Sequence, residues 1–235
     1  MQGRFYVFTY SCFPPSHLTA LFSAGFSPTP KPLHRAPTDL TRVRFSIGGH
    51  MTKDHQHFII ISGGPGSGKS TLIDALERQG FSRTVEAGRA IIQDQVAIGG
   101  NALPWSDRTL FAELMLSWEM RSHAMAEQQH GTVVFDRGVP DVIGYLMLCN
   151  LSVPQHMEEA ALQTRYNRTV FLAPPWAEIF GQDAERKQDF EEAVRTFEAM
   201  DKTYRRLGYE IALLPKSSVE ERVGFIKQAL PSIFP

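Results

Sequence analysis

A chain of 235 residues, 43% of them hydrophobic, is long enough to enclose one α/β core, and 24 Lys and Arg against 25 Asp and Glu leave no excess charge to hold nucleic acid non-specifically. Two cysteines, Cys12 and Cys149, exclude a disulfide framework and a cysteine metal cluster and make the reducing cytoplasm the expected setting. No apolar run approaches the roughly 18 residues that a membrane span needs.

The even balance hides an asymmetry. Residues 1–50 carry Arg4, Lys31, Arg35, Arg42 and Arg44 against Asp39 as the sole acid, and they collect Pro14, Pro15, Pro28, Pro30, Pro32 and Pro37. With no sustained period of 2 or 3.6 beyond the short run from Arg4 to Tyr10, residues 1–54 read as a poorly ordered basic, Pro-rich extension ahead of a domain over 55–235. Its basic, acid-poor character resembles an organellar transit peptide, but the prolines oppose an amphipathic helix. Met51-Thr52-Lys53-Asp54 reads equally as a natural start, with the upstream segment then an artefact of the assumed translation start. His55 and His57, just before the first core strand, read as solvated residues.

Phe58 to Ser62 is an apolar run that flows into Gly63-Gly64-Pro65-Gly66-Ser67-Gly68-Lys69-Ser70-Thr71, with a helical pattern beyond. Strand, glycine-rich loop and helix start, in that order, are a Walker A phosphate loop. Glycine frees successive N–H groups to curl around a phosphate, and the helix N-terminus adds its positive end. Lys69 would reach the β- and γ-phosphates and the Ser70 hydroxyl would ligate Mg²⁺, with Thr71 supporting the helix start.

Leu72, Ile73 and Leu76 form the helix's apolar stripe, and Gly80 ends it. Phe81 to Val85 is the next strand, and Glu86 lies just past its end, on the rim where open α/β sheets bind ligands. Glu86 is either a general base toward a substrate hydroxyl, a contact to magnesium-bound water, or a cap of the following helix. Arg89, one turn later, would clamp a substrate phosphate or carboxylate. After a loop over 97–104, Ser106 is placed to cap a helix running to about Gln128, with Phe111, Leu114, Met115, Trp118 and Met125 as its buried side. Trp105 at that junction either stacks on a flat substrate or anchors the loop.

Thr132 to Phe135 is a strand closing on Asp136-Arg137-Gly138. A carboxylate at that end, beside the strand that carries the loop, is the Walker B position and would hold Mg²⁺ directly or through water, while Arg137 would bind substrate or stabilise the transferred phosphoryl group. Helices are predicted over 141–149 and 154–165, then a strand over 169–173 stopped by Pro174-Pro175. The polar run 182–189 is either a solvated helix start or a lid, with Arg186 and Lys187 as its cations. A helix with Phe190, Val194, Phe197 and Tyr204 on one face, a strand over 209–214, and a last helix opened by a Ser217/Glu220 capping box complete five mostly parallel strands.

These residues, from about Phe58 to Leu230, resemble an AAA-type P-loop domain family of ATPases and kinases related to the kinase domain of nicotinamide-riboside kinases. The resemblance implies a three-layer P-loop NTPase fold, sheet order 2-3-1-4-5, ATP or GTP as phosphoryl donor, and an arginine-bearing lid before the last strand. It places Lys69 and Ser70 at the phosphate and metal positions, Asp136-Arg137 at the acid–arginine pair, Glu86 at the catalytic carboxylate and Arg186 in the lid.

Two functions follow as expectations. The first is transfer of the γ-phosphoryl group from ATP to a small-molecule acceptor, with Mg²⁺; the second is a nucleotide-dependent switch that binds a protein or lipid partner. The absence of an Asn-Lys-x-Asp run points to ATP or to relaxed nucleotide selectivity, and the sequence leaves monomer and dimer open.

Overall fold

The structure is a computed structural model that describes residues 54–180 and 189–232. The expected N-terminal extension, apart from Asp54, and the expected lid cations Arg186 and Lys187 lie outside the described residues.

Five strands, β1 (Phe58–Gly63), β2 (Ser82–Arg83), β3 (Val133–Asp136), β4 (Thr169–Ala173) and β5 (Glu210–Leu213), pair in the order β2-β3-β1-β4-β5, every pair parallel. The three central strands are apolar on both faces because helices cover both sides. Alternation sorts the side chains. Ile59, Ile61, Val134 and Phe171 point to α1 (Lys69–Glu77) and α7 (Val219–Ala229), where Leu72, Leu76, Val223 and Ile226 meet them. Phe58, Ile60, Phe135 and Leu172 face the other way, onto Met200 and Tyr204 of α6 (Phe190–Arg206) and Ala126 of α3 (Arg108–Ala126). On that side α4 (Val139–Leu148) packs between α3 and α6, with α5 (Gln155–Gln163) against α4 and α2 (Ala87–Ile98) against α3.

Local chemistry moves several expected boundaries. β2 is shorter than 81–85 because only Ser82 and Arg83 pair with β3, leaving Val85 exposed. α2 runs on to Ile98 and stops at Gly99, which adopts φ 66°, so the loop begins later than residue 97. The cap of α3 is Asp107, whose carboxylate accepts the Leu110 N–H at 2.9 Å, while Ser106 donates instead to Asn101 at 2.8 Å. The last capping box is Ser218 with Glu221, one residue beyond the expected pair. α3 buries Phe111, Ala112, Leu116, Glu119, His123 and Ala126, a face turned away from Met125, which is exposed.

Candidate active site

The C-terminal ends of β1 and β3 lie side by side, with Ile61 in register with Asp136, so the phosphate loop and the acidic strand end share one rim. The loop is tightest at Gly63, at φ 131°, where a Cβ would stand 2.4 Å from the Ala173 carbonyl oxygen of β4, and at Gly64, where it would stand 2.4 Å from the Ala193 carbonyl oxygen. Ser67 donates to the Gly64 carbonyl at 2.8 Å and Lys69 folds over the loop, its Nζ donating to the Gly64 carbonyl at 2.7 Å and the Gly63 carbonyl at 3.1 Å. Arg222, buried on α7, supports the loop from behind by donating to the carbonyls of Ser67 and Gly68, each at 3.2 Å. Burial pulls the Arg222 pKa down.

Arg137 follows β3 with φ 75°, a left-handed backbone that costs a non-glycine residue about 1 kcal/mol or more. Two carboxylates hold it there. Its Nε stands 3.4 Å from Glu86 and its Nη1 3.2 Å from Asp141. Burial works against the guanidinium charge, but the surrounding Glu86, Asp141 and Asp136 outweigh it and raise its pKa above the ordinary value. Glu86 is the N-cap residue of α2 and pairs through its second oxygen with Arg89 at 3.8 Å. Arg89 therefore orients Glu86 and does not line the cavity described below.

Asp141 is the hub of this cluster. It sits in the first turn of α4, buried, and accepts from the Gly138 N–H at 3.0 Å, from Arg137, from Ser62 of β1 and from the Tyr204 hydroxyl of α6. Four hydrogen bonds from three parts of the fold, β1, the β3–α4 connection and α6, explain how a carboxyl group can lie buried there.

Asp136 is also buried, and its Oδ1 has no hydrogen-bond partner among the described residues. Burial, and then the Glu86 charge, push its carboxyl above the usual range against the pull of Lys69 and Arg137. An orphaned carboxylate oxygen on a rim carrying Glu86, Asp136 and Asp141 against Lys69 and Arg137 fits a divalent cation, and hard oxygen donors suit Mg²⁺.

Beside the rim opens a cavity of about 500 Å³. Pro65, Glu86, Arg137 and Asp141 line its polar part, and Phe111, Met115 and Tyr145 are among its apolar lining, with Phe111 and Tyr145 edge to face at 5.4 Å. Trp105 borders it and is 63% exposed, which places it where an aromatic ring can meet a ligand. Arg108 and Arg195 also border it, two cations that the sequence alone did not single out.

Glu119 reaches the same cavity from α3. It is 3% exposed. Burial first, then Asp141 and Asp136, hold it well above the ordinary carboxyl value of 4.5, so it stays protonated where a surface glutamate is charged. As pH rises past that ordinary value the unfolded chain releases a proton that the folded chain keeps. Each pH unit up to the folded pKa therefore removes up to about 1.4 kcal/mol of stability. Glu119→Gln is accordingly expected to stabilise the fold by more than about 1 kcal/mol at pH 8 and hardly at all at pH 4, read by urea unfolding. An equal effect at both pH values would contradict a buried neutral acid.

Residues 58–222 match the AAA domain family. The chain belongs to that family. No curated protein matches the sequence significantly. Among solved structures, this AAA-domain chain is similar to a deoxyadenosine kinase from M. mycoides holding dCMP and a flexible dCDP, at TM-score 0.56 and 14% identity over 75% of this chain and 100% of that one. It is similar also to NadR protein in complex with NR, at TM-score 0.56 and 14% identity over 74% of this chain and 50% of that one. At these identities the likeness is one of fold, and the sheet order and P-loop architecture agree with it. No helix among the described residues is long and apolar enough to cross a membrane.

Proposed function

We propose that this AAA-domain protein is a Mg²⁺-dependent kinase, which moves the γ-phosphoryl group of ATP, or of GTP, to a hydroxyl of a small nucleoside-like acceptor. One observation carries the reading: Pro65 of the phosphate loop lines the cavity together with Glu86 and Arg137 of the neighbouring strand ends. The volume of about 500 Å³ falls within the roughly 300–1,000 Å³ of small-molecule pockets. A switch that only hydrolyses nucleotide has no use for an apolar pocket beside its loop, and this favours a second small substrate over a protein or lipid partner.

The roles follow from position. Loop amides and Lys69 hold the donor phosphates, with Lys69 exchanging its loop carbonyls for phosphate oxygens. Ser70 and Asp136 would hold Mg²⁺, which when bound neutralises phosphate charge. Glu86, oriented by Arg137 and Arg89, takes the proton of the attacking hydroxyl. Arg137, fixed between Glu86 and Asp141, faces the charge that develops on the transferred group. The aromatic walls and Trp105 hold a flat acceptor, and Glu119, as a neutral acid, offers it both a donor and an acceptor. Arg186 would close over the phosphates. Residues 55–235 would form this catalytic unit behind the basic extension, in the cytoplasm.

The test is a panel of nucleosides, pyridine nucleosides and small phosphorylated compounds incubated with ATP or GTP and Mg²⁺, read by mass spectrometry. A phosphorylated product is the expected result. Nucleotide consumption that no acceptor accelerates would reject the kinase reading in favour of hydrolysis.

A further inference from the structure

At the opposite end of β1 from the phosphate loop, where that strand begins, three side chains from two segments converge. His55 precedes β1, His123 lies in the last turn of α3, and Glu127 caps that helix. The His55 Nε2 stands 3.4 Å from the Glu127 carboxylate and the His123 Nδ1 stands 3.7 Å from the same oxygen. All three donor atoms lie within 4.8 Å of one another.

We propose that His55, His123 and Glu127 form a binding site for a divalent transition metal of the zinc type, which clips the entry of β1 to the end of α3. Ligand spacing supports it. Tetrahedral zinc with bonds of about 2.0–2.1 Å sets its donors roughly 3.3–3.5 Å apart, so small side-chain movements close the set. The tautomer supports it too. The His123 Nε2 lies 2.8 Å from the Arg165 carbonyl oxygen, which can only accept, so Nε2 carries the hydrogen and the Nδ1 lone pair faces Glu127. A histidine that donates its second N–H to a carbonyl is the arrangement that orients metal-binding imidazoles.

The rings are held before any metal arrives. His55 stacks on Phe58 at 4.6 Å and 7°, and His123 meets His55 edge-on at 5.1 Å and Phe58 at 5.0 Å. The nearby Arg165 charge is taken up by Asp54 at 3.2 Å, which lowers its repulsion of a cation. Two nitrogens and one carboxylate leave a coordination position for water, and such a donor set suits zinc better than magnesium. The partners of His55 come from α3, with His123 68 residues downstream, so only the fold brings the three together.

The experiment uses the full chain without an affinity tag, stripped with EDTA and titrated with Zn²⁺ alone, with bound metal counted by mass spectrometry after desalting. One zinc per chain is expected, with a melting temperature raised by about 5 °C once free zinc is a hundredfold above its Kd. His55→Ala and Glu127→Ala, both at accessible positions, are each expected to weaken binding about tenfold or more. His156→Ala removes an exposed histidine paired with Glu113 and is expected to leave binding unchanged. Zinc uptake that persists in the His55→Ala/Glu127→Ala double variant, or that never saturates below millimolar zinc, overturns the proposal.

Discussion

Asp141→Ala is expected to destabilise the protein by about 3–5 kcal/mol, the cost of removing one partner from a buried, hydrogen-bonded charge cluster. The substitution leaves the Arg137 guanidinium with Glu86 as its remaining ion-pair partner among the described residues and strands the Ser62 and Tyr204 hydroxyls and the Gly138 N–H. It also releases the constraint that keeps Arg137 at φ 75°. Asp141→Asn should fall between wild type and alanine. Its amide oxygen can still accept from Arg137 and Ser62, and its NH₂ can donate to the Tyr204 oxygen, but it then faces the Gly138 N–H donor to donor. Urea unfolding checks the order, and an alanine variant within 1 kcal/mol of wild type would show that the cluster does not hold the fold.

Glu86→Gln is expected to lower kcat for phosphoryl transfer by about 10²–10⁴-fold while leaving nucleotide affinity within a factor of a few. The amide keeps the shape of the carboxylate and can accept one hydrogen bond from Arg137, so the rim stays in place. What it loses is the capacity to take the hydroxyl proton. Glu86 lines the cavity proposed for the acceptor and is not part of the loop whose amides would hold the donor, which is why binding and turnover should separate. If both fell together, Glu86 would be a structural cap of α2 that merely positions Arg137. Calorimetry with ATP and steady-state kinetics with the acceptor distinguish the two.

The parts of this site that sequence made legible are those whose chemistry is local. Gly63 to Ser70 carries its own strand, loop and helix signals, and Asp136 stands at the end of four consecutive buried residues. Glu86 was legible as an acid just past the expected strand over 81–85, although β2 itself ends at Arg83. Asp141 was not. It occupies an apolar helix and its partners Ser62 and Tyr204 are 79 and 63 residues away, so nothing in its neighbourhood announces the hub. Arg222 reads as one more charge on a terminal helix until the fold puts it against loop carbonyls 154 and 155 residues distant. Glu119 and His123 share a different failing. The apolar members of α3 point to a stripe through Leu114 and Trp118, whereas the buried face runs through Ala112, Leu116, Glu119, His123 and Ala126. That face has helical spacing too, but two of its members are polar, and hydrophobic periodicity passes over them. A buried acid and a buried imidazole are visible only where packing removes them from water.

The most direct test follows the phosphorus atom itself. In a single turnover with γ-labelled ATP and the acceptor found by screening, the kinase reading requires the label to arrive on the acceptor, and to stay on ATP when the acceptor is left out. Label released as inorganic phosphate at the same rate with and without acceptor would contradict it.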